Sequence, residues 1–363
     1  MSWILVFAGL CFLIVLHEAG HFVAAKATGM RVERFFLFFG PTLWSFKRGE
    51  TEYGIKAIPL GGYVKITGMN PEEEIPPEVV DRAYYRQPVW KRIVVIGAGP
   101  AVNIVLAFVI LFGVYLVGVQ QVDQKVGEIK PGTPAAKALQ PGDEIVAVDG
   151  HSYPSLSQED RLVKFGKQVA AHECAGRQVD GCAAATPVQI EVRRDGVTRT
   201  ISARPEYSKE NGRALIGFSY GSEAVSFGAG AAASHAWDSM WMVASGTAHV
   251  FAHIFEAKQR KQISGLVGTS DVAHQAIDTG ATQALLLLAL VSLSLGLVNL
   301  LPILPLDGGH IFWSLVEKLR GEPVSLRVME RASIIGFALV AMLFFIGLSN
   351  DIGRITGEGF NVR

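Results

Sequence analysis

Four long stretches of the chain contain no Asp, Glu, Lys or Arg. The first runs from the N-terminus to Leu16, with apolar character resuming at Phe22 after a polar motif, and the others cover residues 93–119, 279–306 and 332–350. A membrane-spanning helix needs about 20 mostly apolar residues, and all four stretches reach or approach that length. Charged residues form 18% of the sequence, less than the ~25% typical of soluble domains. The pattern predicts a polytopic α-helical membrane protein with four transmembrane helices.

The distribution of basic residues predicts how these helices are oriented. Lys and Arg are frequent in residues 27–92 and 307–331, whereas none precedes Leu16. By the positive-inside rule both connections are cytoplasmic, and both termini and the long segment 120–278 are extracytoplasmic. The first stretch has no basic region ahead of its apolar part, so we interpret it as a retained span rather than a secretory signal. The formal net charge is zero and no basic block predicts a nucleic-acid partner.

The first cytoplasmic connection has the pattern of a small membrane-associated β-sheet. An apolar run at 42–46 leads into the turn Lys47-Arg48-Gly49-Glu50, and further strands are predicted at 51–58 and 61–66. We take 51–58 as a candidate edge strand of this sheet.

The extracytoplasmic segment contains the pattern of one compact α+β domain, predicted at 120–207. Its predicted elements are a helix at 135–139 and strands at 144–148, 188–193 and 198–203. The turn Pro141-Gly142-Asp143 ahead of the first strand and the turn Asp149-Gly150 after it make this order resemble a PDZ domain, with an insertion at 176–186.

Two features of the extracytoplasmic segment remain open from sequence. Cys174 and Cys182 would form a disulfide if the compartment is oxidising, but sequence alone does not fix the Cα separation that a disulfide needs. Residues 239–255 are uncharged and include His249 and His253. We interpret this stretch as an interfacial or bundle-packed helix rather than a fifth span, and its histidines as packing residues.

The polar motif in the first span is His17-Glu18-Ala19-Gly20-His21. Residues four apart project from one face of a helix, so His17 and His21 can bind one metal ion while Glu18 serves as the general base. The alternative is a purely structural role, in which these polar side chains form hydrogen bonds with neighbouring groups. Ionisable side chains at membrane depth are costly and are usually functional, which favours the metal site.

A catalytic zinc site needs a third protein ligand and an open position. The sequence Asn299-Leu300-Leu301-Pro302-Ile303-Leu304-Pro305-Leu306-Asp307-Gly308-Gly309 supplies Asp307 where two prolines end the third span. Taken alone, this Asp could simply cap a helix end. The first and third spans both run inward, so His17, His21 and Asp307 approach the same leaflet, and we predict that they bind Zn²⁺ together.

The combination of motifs resembles the site-2 protease family. The motifs are HEAGH in the first span, Gly61-Gly62-Tyr63-Val64-Lys65, Gly99-Pro100-Ala101-Val102-Asn103 in the second, and NLLPILPLDGG at the end of the third. They follow in the family's order along essentially the whole chain, as in bacterial members with an extracytoplasmic PDZ domain. Family members often have Gly-Pro-Val before the third span, where this chain has Ser264-Gly265-Leu266-Val267-Gly268.

The resemblance implies an intramembrane zinc metalloprotease in a bacterial inner or plasma membrane. Its substrates would be single-pass transmembrane proteins, such as anti-sigma factors or signal-peptide remnants, and the PDZ-like domain would bind a peptide or a substrate ectodomain. Asn299 and Asn103 are candidate substrate-binding residues, although an Asn in a span also serves as contact between helices. An edge strand of the cytoplasmic sheet could bind an unwound substrate by strand addition; the alternative is a sheet that only packs under the active site.

Two other classes of protein are compatible with parts of this pattern. A metal transporter would distribute polar residues over several spans, and the fourth span has few apart from Ser333 and the pair at its end. A catalytically inactive scaffold would be expected to have lost Glu18 or a ligand. The predicted organisation is a first span at 1–27, the β-sheet region at 28–91, a second span at 92–119, the PDZ-like domain at 120–207, a linker with amphipathic helices at 208–278, a third span at 279–306, the LDG motif and loop at 307–331, a fourth span at 332–350 and a tail at 351–363.

Overall fold

The computed structural model describes residues 2–69, 73–209, 211–253, 256, 273–274 and 276–353. The chain divides into two compact units, one formed by Met1–Leu116 with Phe227–Arg363 and the other by Val117–Ser226. The departure from the family pattern at 264–268, and most of the predicted tail, lie outside the described residues.

The first unit is built mainly from helices. They are α1 (Ser2–Ala27), α2 (Val89–Val117), α5 (Ala229–Ala252), α6 (Ala281–Asn299), α7 (Asp307–Arg320) and α8 (Leu326–Gly353), while the second unit contains α3 (Pro134–Ala138) and α4 (Gln158–Ala170). Among the described residues, α1, α2, α6 and α8 are long and apolar enough to cross a membrane. These are the four stretches predicted from the sequence.

The helix ends differ from the predicted ones where charge or proline intervenes. Helix α6 ends at Asn299, earlier than the predicted 306, because Pro302 and Pro305 cannot continue it. Helix α8 begins at Leu326 and so includes charged residues ahead of its apolar part. The segment predicted as a loop at 307–331 instead contains α7, whose glycine C-cap at Gly321 has a left-handed backbone conformation.

Helix α5 packs within the apolar part of the first unit. Its small residues Ala232 and Ala236 are fully buried, and Met240 clusters with side chains of α2 and α6. In the middle of this helix, the hydroxyl group of Ser239 is 2.8 Å from that of Tyr115. Helix α5 has 24 residues but is not among the described helices that are both long and apolar enough to cross a membrane.

The β-sheet of the first unit consists of strands β1 (Val32–Arg48) and β2 (Thr51–Ile66). Both strands bend, so their pairing register has three parts: residues 42–48 pair with 51–56, residues 34–39 pair with 52–58, and residues 32–37 pair with 62–66. The sheet therefore has four segments in the order 42–48, 51–58, 32–39 and 62–66. The prediction that 51–58 is an edge strand is wrong, because it lies between two partner segments.

The second unit contains a five-stranded sheet and a two-stranded hairpin. Its strands are β3 (Val119–Ile129), β4 (Glu144–Val148), β5 (Val188–Arg194), β6 (Val197–Ala203), β7 (Glu206–Ser208), β8 (Arg213–Leu215) and β9 (Phe218–Val225). The large sheet has the order β6-β5-β4-β3-β9, and β7 pairs with β8. Strand β9 extends this unit beyond the predicted boundary at 207, since β9 pairs with the first strand of the unit.

The elements predicted in this unit have close counterparts in the structure. Strand β4 has the predicted bounds, and Asp195-Gly196 forms the β5–β6 turn with positive φ at both residues. Helix α4 was not predicted, although its N-cap Ser157 accepts a hydrogen bond from the amide of Asp160. Cys174 and Cys182 are disulfide-bonded, with their Cα atoms 6.1 Å apart.

Candidate metal centre

Helix α1 places both histidines of the HEAGH motif on one face. Because His17 and His21 are four residues apart, their rings lie one helical turn apart, edge to face with centroids 4.9 Å apart. Their Nε2 atoms are 3.2 Å apart. Each residue is only 8% exposed, so the two nitrogens face a small enclosed space.

The second helix fixes the orientation of His21. Its Nδ1 lies 2.9 Å from the carbonyl oxygen of Val95 on α2. A carbonyl can only accept, so Nδ1 carries the proton and Nε2 is left with a lone pair. This is the arrangement that orients a metal-binding histidine. The close approach of the helices depends on glycine: a Cβ at Gly20 would lie 2.6 Å from the Ala98 carbonyl oxygen, and a Cβ at Gly99 would collide with Nε2 of His21.

Asp307 reaches the same space from α7. It is the first residue of that helix, and its Oδ2 lies 3.2 Å from Nε2 of His17 and 3.3 Å from Nε2 of His21. The chain can turn sharply here because Gly308 packs directly against the carbonyl of Leu300.

The three ligand atoms fit a tetrahedral metal ion. Bonds of about 2.0–2.1 Å to a tetrahedral zinc place its ligand atoms about 3.3 Å apart, and the separations here are 3.2, 3.2 and 3.3 Å. Oδ2 of Asp307 is buried and has no hydrogen-bond partner, which a metal ion would supply. Two imidazoles and one carboxylate also form a recognised ligand set for catalytic zinc.

Glu18 lies between this cluster and the small sheet. It adjoins His17 in sequence, and its carboxylate is hydrogen-bonded by the backbone N–H of Val64. A Cβ at Gly62 would lie only 3.0 Å from Cγ of Glu18. The sheet edge at 62–66 is therefore in direct contact with the Glu18 side chain.

The two asparagines proposed as substrate-binding residues differ in their surroundings. Asn103 is fully buried, and neither polar atom of its side chain has a partner. It lies one helical turn beyond Gly99, and a Cβ at Gly296 of α6 would be 3.5 Å from its own Cβ. Asn299 is half-buried and donates from Nδ2 to the carbonyl of Leu295 at 3.0 Å, so that amide group is turned back onto its own helix.

Several residues that build this centre carry no separate signal in the sequence. Gly99 and Gly62 belong to motifs that support the family resemblance, but only the structure shows which side chains they accommodate. Val95 contributes a backbone carbonyl, and any residue type other than a helix breaker would provide one. His310 follows the glycine pair, and burial lowers the pKa of its imidazole, which favours the neutral form beside the centre.

Comparison with known proteins decides the family. The model of "Peptidase family M50" matches residues 5–343. The chain belongs to peptidase family M50. This confirms the resemblance to site-2 proteases and the class of enzyme, an intramembrane zinc metalloprotease of the kind that acts in regulated intramembrane proteolysis.

The matches to individual M50 relatives extend over most of both chains. "Zinc metalloprotease Rip1" of Mycolicibacterium smegmatis is 33% identical, over 89% of this chain and 87% of that protein. "Zinc metalloprotease Rip1" of Mycobacterium bovis is 31% identical over 94% and 91%. "Regulator of sigma-E protease RseP" of Salmonella typhimurium is 28% identical over 94% and 96%. With its four apolar helices, this M50 chain is an inner-membrane protein.

Proposed function

We propose that His17, His21 and Asp307 hold the zinc ion and that Glu18 is the general base of peptide-bond hydrolysis. The observation that carries this assignment is the convergence of the three ligand atoms at separations of 3.2–3.3 Å. A zinc ion bound there would act as a Lewis acid toward the scissile carbonyl and make water more acidic. A Glu18→Gln variant tests these roles: it should retain zinc and lose cleavage.

The roles of the protein groups follow from their positions. His21 is held by Val95 with its lone pair toward the centre, and the ionised Asp307 supplies a negative charge that stabilises bound Zn²⁺. Glu18 takes a proton from the attacking water and returns it to the amine nitrogen of the leaving peptide. The amide of Val64, which hydrogen-bonds Glu18, orients the carboxylate for both steps.

The proposed substrates are single-pass transmembrane proteins. His17 and His21 lie in a helix with the length and hydropathy of a membrane span, so a peptide bond that reaches them must come from a segment at membrane depth. Similarity to "Regulator of sigma-E protease RseP" supports anti-sigma factors as one class of substrate, and signal-peptide remnants are the second class that we propose.

A helical substrate must unwind locally before its peptide bonds can be hydrolysed, and its freed backbone groups then need partners. We propose that segment 62–66 supplies them by strand addition. It is an outer segment of the four-segment sheet, because its pairing within that sheet is with residues 32–37. It also contacts Glu18 through Gly62 and Val64. A substrate strand on this edge would therefore run beside the proposed base.

Asn103 is the asparagine that we favour for direct substrate contact. Its side-chain amide is buried without a partner, and such a group is costly unless something pairs with it. A substrate carbonyl or amide in the same space would satisfy it. Asn299 keeps a proposed role through its side-chain oxygen, since its Nδ2 donates to Leu295.

We also propose the topology that the basic residues predict, with the active site near the cytoplasmic leaflet and both termini and unit Val117–Ser226 extracytoplasmic. That unit would be a PDZ-like domain whose strand β9, at the edge of its sheet, binds an extended peptide. Labelling of single cysteines introduced at Lys47 and Arg193 with a membrane-impermeant thiol reagent tests the topology. Reaction at position 47 in sealed right-side-out vesicles would contradict it.

A further inference from the structure

A partly buried ion pair connects α2 to α7, two of the helices that build the metal centre. The guanidinium of Arg92 donates from Nη1 to Oε2 of Glu317 at 2.9 Å and from Nη2 to Oε1 at 2.6 Å. The Arg92 side chain is only 9% exposed, and that of Glu317 is 25% exposed. The two residues are 225 positions apart in the chain, so the pair is a tertiary cross-link rather than a local contact.

Local helix preferences do not explain either residue. Arg92 lies in the first turn of α2, and Glu317 lies in the last turn of α7. The helix dipole disfavours a cation at an N-terminus and an anion at a C-terminus. Removing two charges from water is also expensive, and apolar side chains of similar size would often stabilise as well or better. The pair is therefore better explained by the geometry that it imposes.

That geometry controls where α7 lies. A planar guanidinium that binds both carboxylate oxygens fixes the direction of approach as well as the distance. A second contact lies farther along α7, where Ile311 packs against the core cluster that includes Val95 and Ile96 of α2. Between these two contacts, the side chain of Ser314 is hydrogen-bonded to Tyr84. Ile311, Ser314 and Glu317 thus fasten one side of α7 to its neighbours.

Asp307 depends on this fastening because it is the first residue of α7. It lies ten residues from Glu317, which is about 15 Å along a helix, so a tilt of a few degrees at the ion pair would move it by about 1 Å. His17 and His21 would not move with it, since they are held on α1 against α2. A misplacement of about 1 Å in an active site can lower the rate about a hundredfold.

We propose that Arg92 and Glu317 are positioning residues that set Asp307 against His17 and His21 through α7. The inference rests on the proposed role of Asp307 as a zinc ligand. The pair touches neither substrate nor zinc. It acts by holding the rotation and tilt of α7, so its loss loosens one of the three zinc ligands and leaves the other two in place.

The test compares Glu317→Gln, which keeps the shape of the side chain, with wild type in detergent. We expect zinc affinity, measured by competition with a chelator, to fall about ten- to a hundredfold, as for other residues that orient metal ligands. We expect kcat to fall with it while KM changes little. Arg92→Lys keeps the charge but loses the paired hydrogen bonds, and it should shift the same two quantities in the same direction by less.

The matched control is Asp143→Asn in unit Val117–Ser226. Asp143 also forms an ion pair with two hydrogen bonds, Arg194 donating to it from Nε and Nη2 at 2.6 and 2.7 Å. Its loss should lower stability without changing zinc affinity. If folded Glu317→Gln or Arg92→Lys keeps wild-type zinc affinity and kcat, the pair is only structural and the proposal is overturned. If Asp307→Asn also keeps wild-type zinc affinity, the proposed ligand set itself has failed.

Discussion

The α-carbon of Gly99 on α2 lies directly against the imidazole of His21 on α1, and a methyl group at this position would collide with Nε2, the nitrogen that faces the metal centre. The same imidazole is held from its other nitrogen by the carbonyl of Val95. Helix α2 therefore forms one wall of the centre, although none of its side chains is a proposed zinc ligand.

The first prediction concerns this contact. Gly99→Ala should displace His21, because the added methyl group and the imidazole ring would occupy the same space. We expect zinc affinity to fall at least about tenfold, and cleavage to fall about a hundredfold, as for a misplacement of about 1 Å. Bound zinc and cleavage of a transmembrane substrate are the measurements.

Gly97→Ala is the control for Gly99→Ala. It adds the same methyl group two residues earlier on α2, where the nearest atom is Cδ1 of Ile311 at 3.8 Å, an ordinary van der Waals distance. This variant should retain zinc and activity. Equal behaviour of the two variants would show that the effect comes from replacing a glycine in α2 and not from contact with His21.

The second prediction concerns the substrate strand at segment 62–66. A series of synthetic transmembrane substrates, each N-methylated at one position near the cleavage site, would remove one backbone N–H at a time. In an extended strand alternate N–H groups point to the same side, so cleavage should fall at every second position and not at those between. Steady-state cleavage of each peptide gives the measurement.

The N-methyl series also separates strand addition from simple unwinding. N-methylation loosens a helix wherever it is placed, so a protease that requires only unwinding should cleave all members of the series at least as well as the parent peptide. A uniform increase, or a loss that repeats every three to four residues, would exclude pairing with segment 62–66.

The third prediction concerns stability and pH in unit Val117–Ser226. The hydrogen-bonded guanidinium of Arg194 lowers the pKa of Asp143 below its ordinary value, and Asp143 also accepts from the amide of Gln140 at 2.8 Å. Removing one partner of such an ion pair leaves the other charge unpaired, which destabilises the fold. Asp143→Asn should therefore lower the unfolding temperature of this unit at pH 7.

The pH dependence follows from the direction of the Asp143 shift. Because the pKa is lower in the folded state, the stabilisation is fully present above the ordinary Asp pKa of about 3.9 and is lost as pH falls through the folded value. The difference between wild type and Asp143→Asn, measured by thermal unfolding of the full chain, should shrink as the pH is lowered below about 4. A difference that stays constant down to pH 2.5 would mean that the charge of Asp143 does not stabilise the unit.

Much of the metal centre was predictable because its signals are local. The HEAGH motif predicts two of the proposed ligands and the proposed base from helical spacing, and Pro302 and Pro305 show where the third span stops. Asp307 is the acidic residue that follows this break. The four apolar stretches are equally local, since hydropathy over about 20 residues suffices to find them.

The features that sequence did not predict depend on tertiary contacts. Strands β1 and β2 both bend and pair in three registers, so alternation along 51–58 cannot show that this segment has partners on both sides. Strand β9 pairs with β3, which lies at the other end of the unit in sequence. The local sequence pattern gives no sign of this pairing, so the predicted domain ended before β9. Helix α7 was missed because its glycine pair and short length are also typical of a loop.

The most direct test of the account is the cleavage of a model transmembrane substrate by purified protein in detergent, comparing wild type with Glu18→Gln and measuring bound zinc in both. We expect wild type to cleave and the variant to be slower by about 10²–10⁴-fold, the usual contribution of a general base. Zinc should be retained in both, because Glu18 is not a proposed ligand. Cleavage at the same rate by both proteins would contradict the account, since Glu18 would then have no part in the hydrolysis.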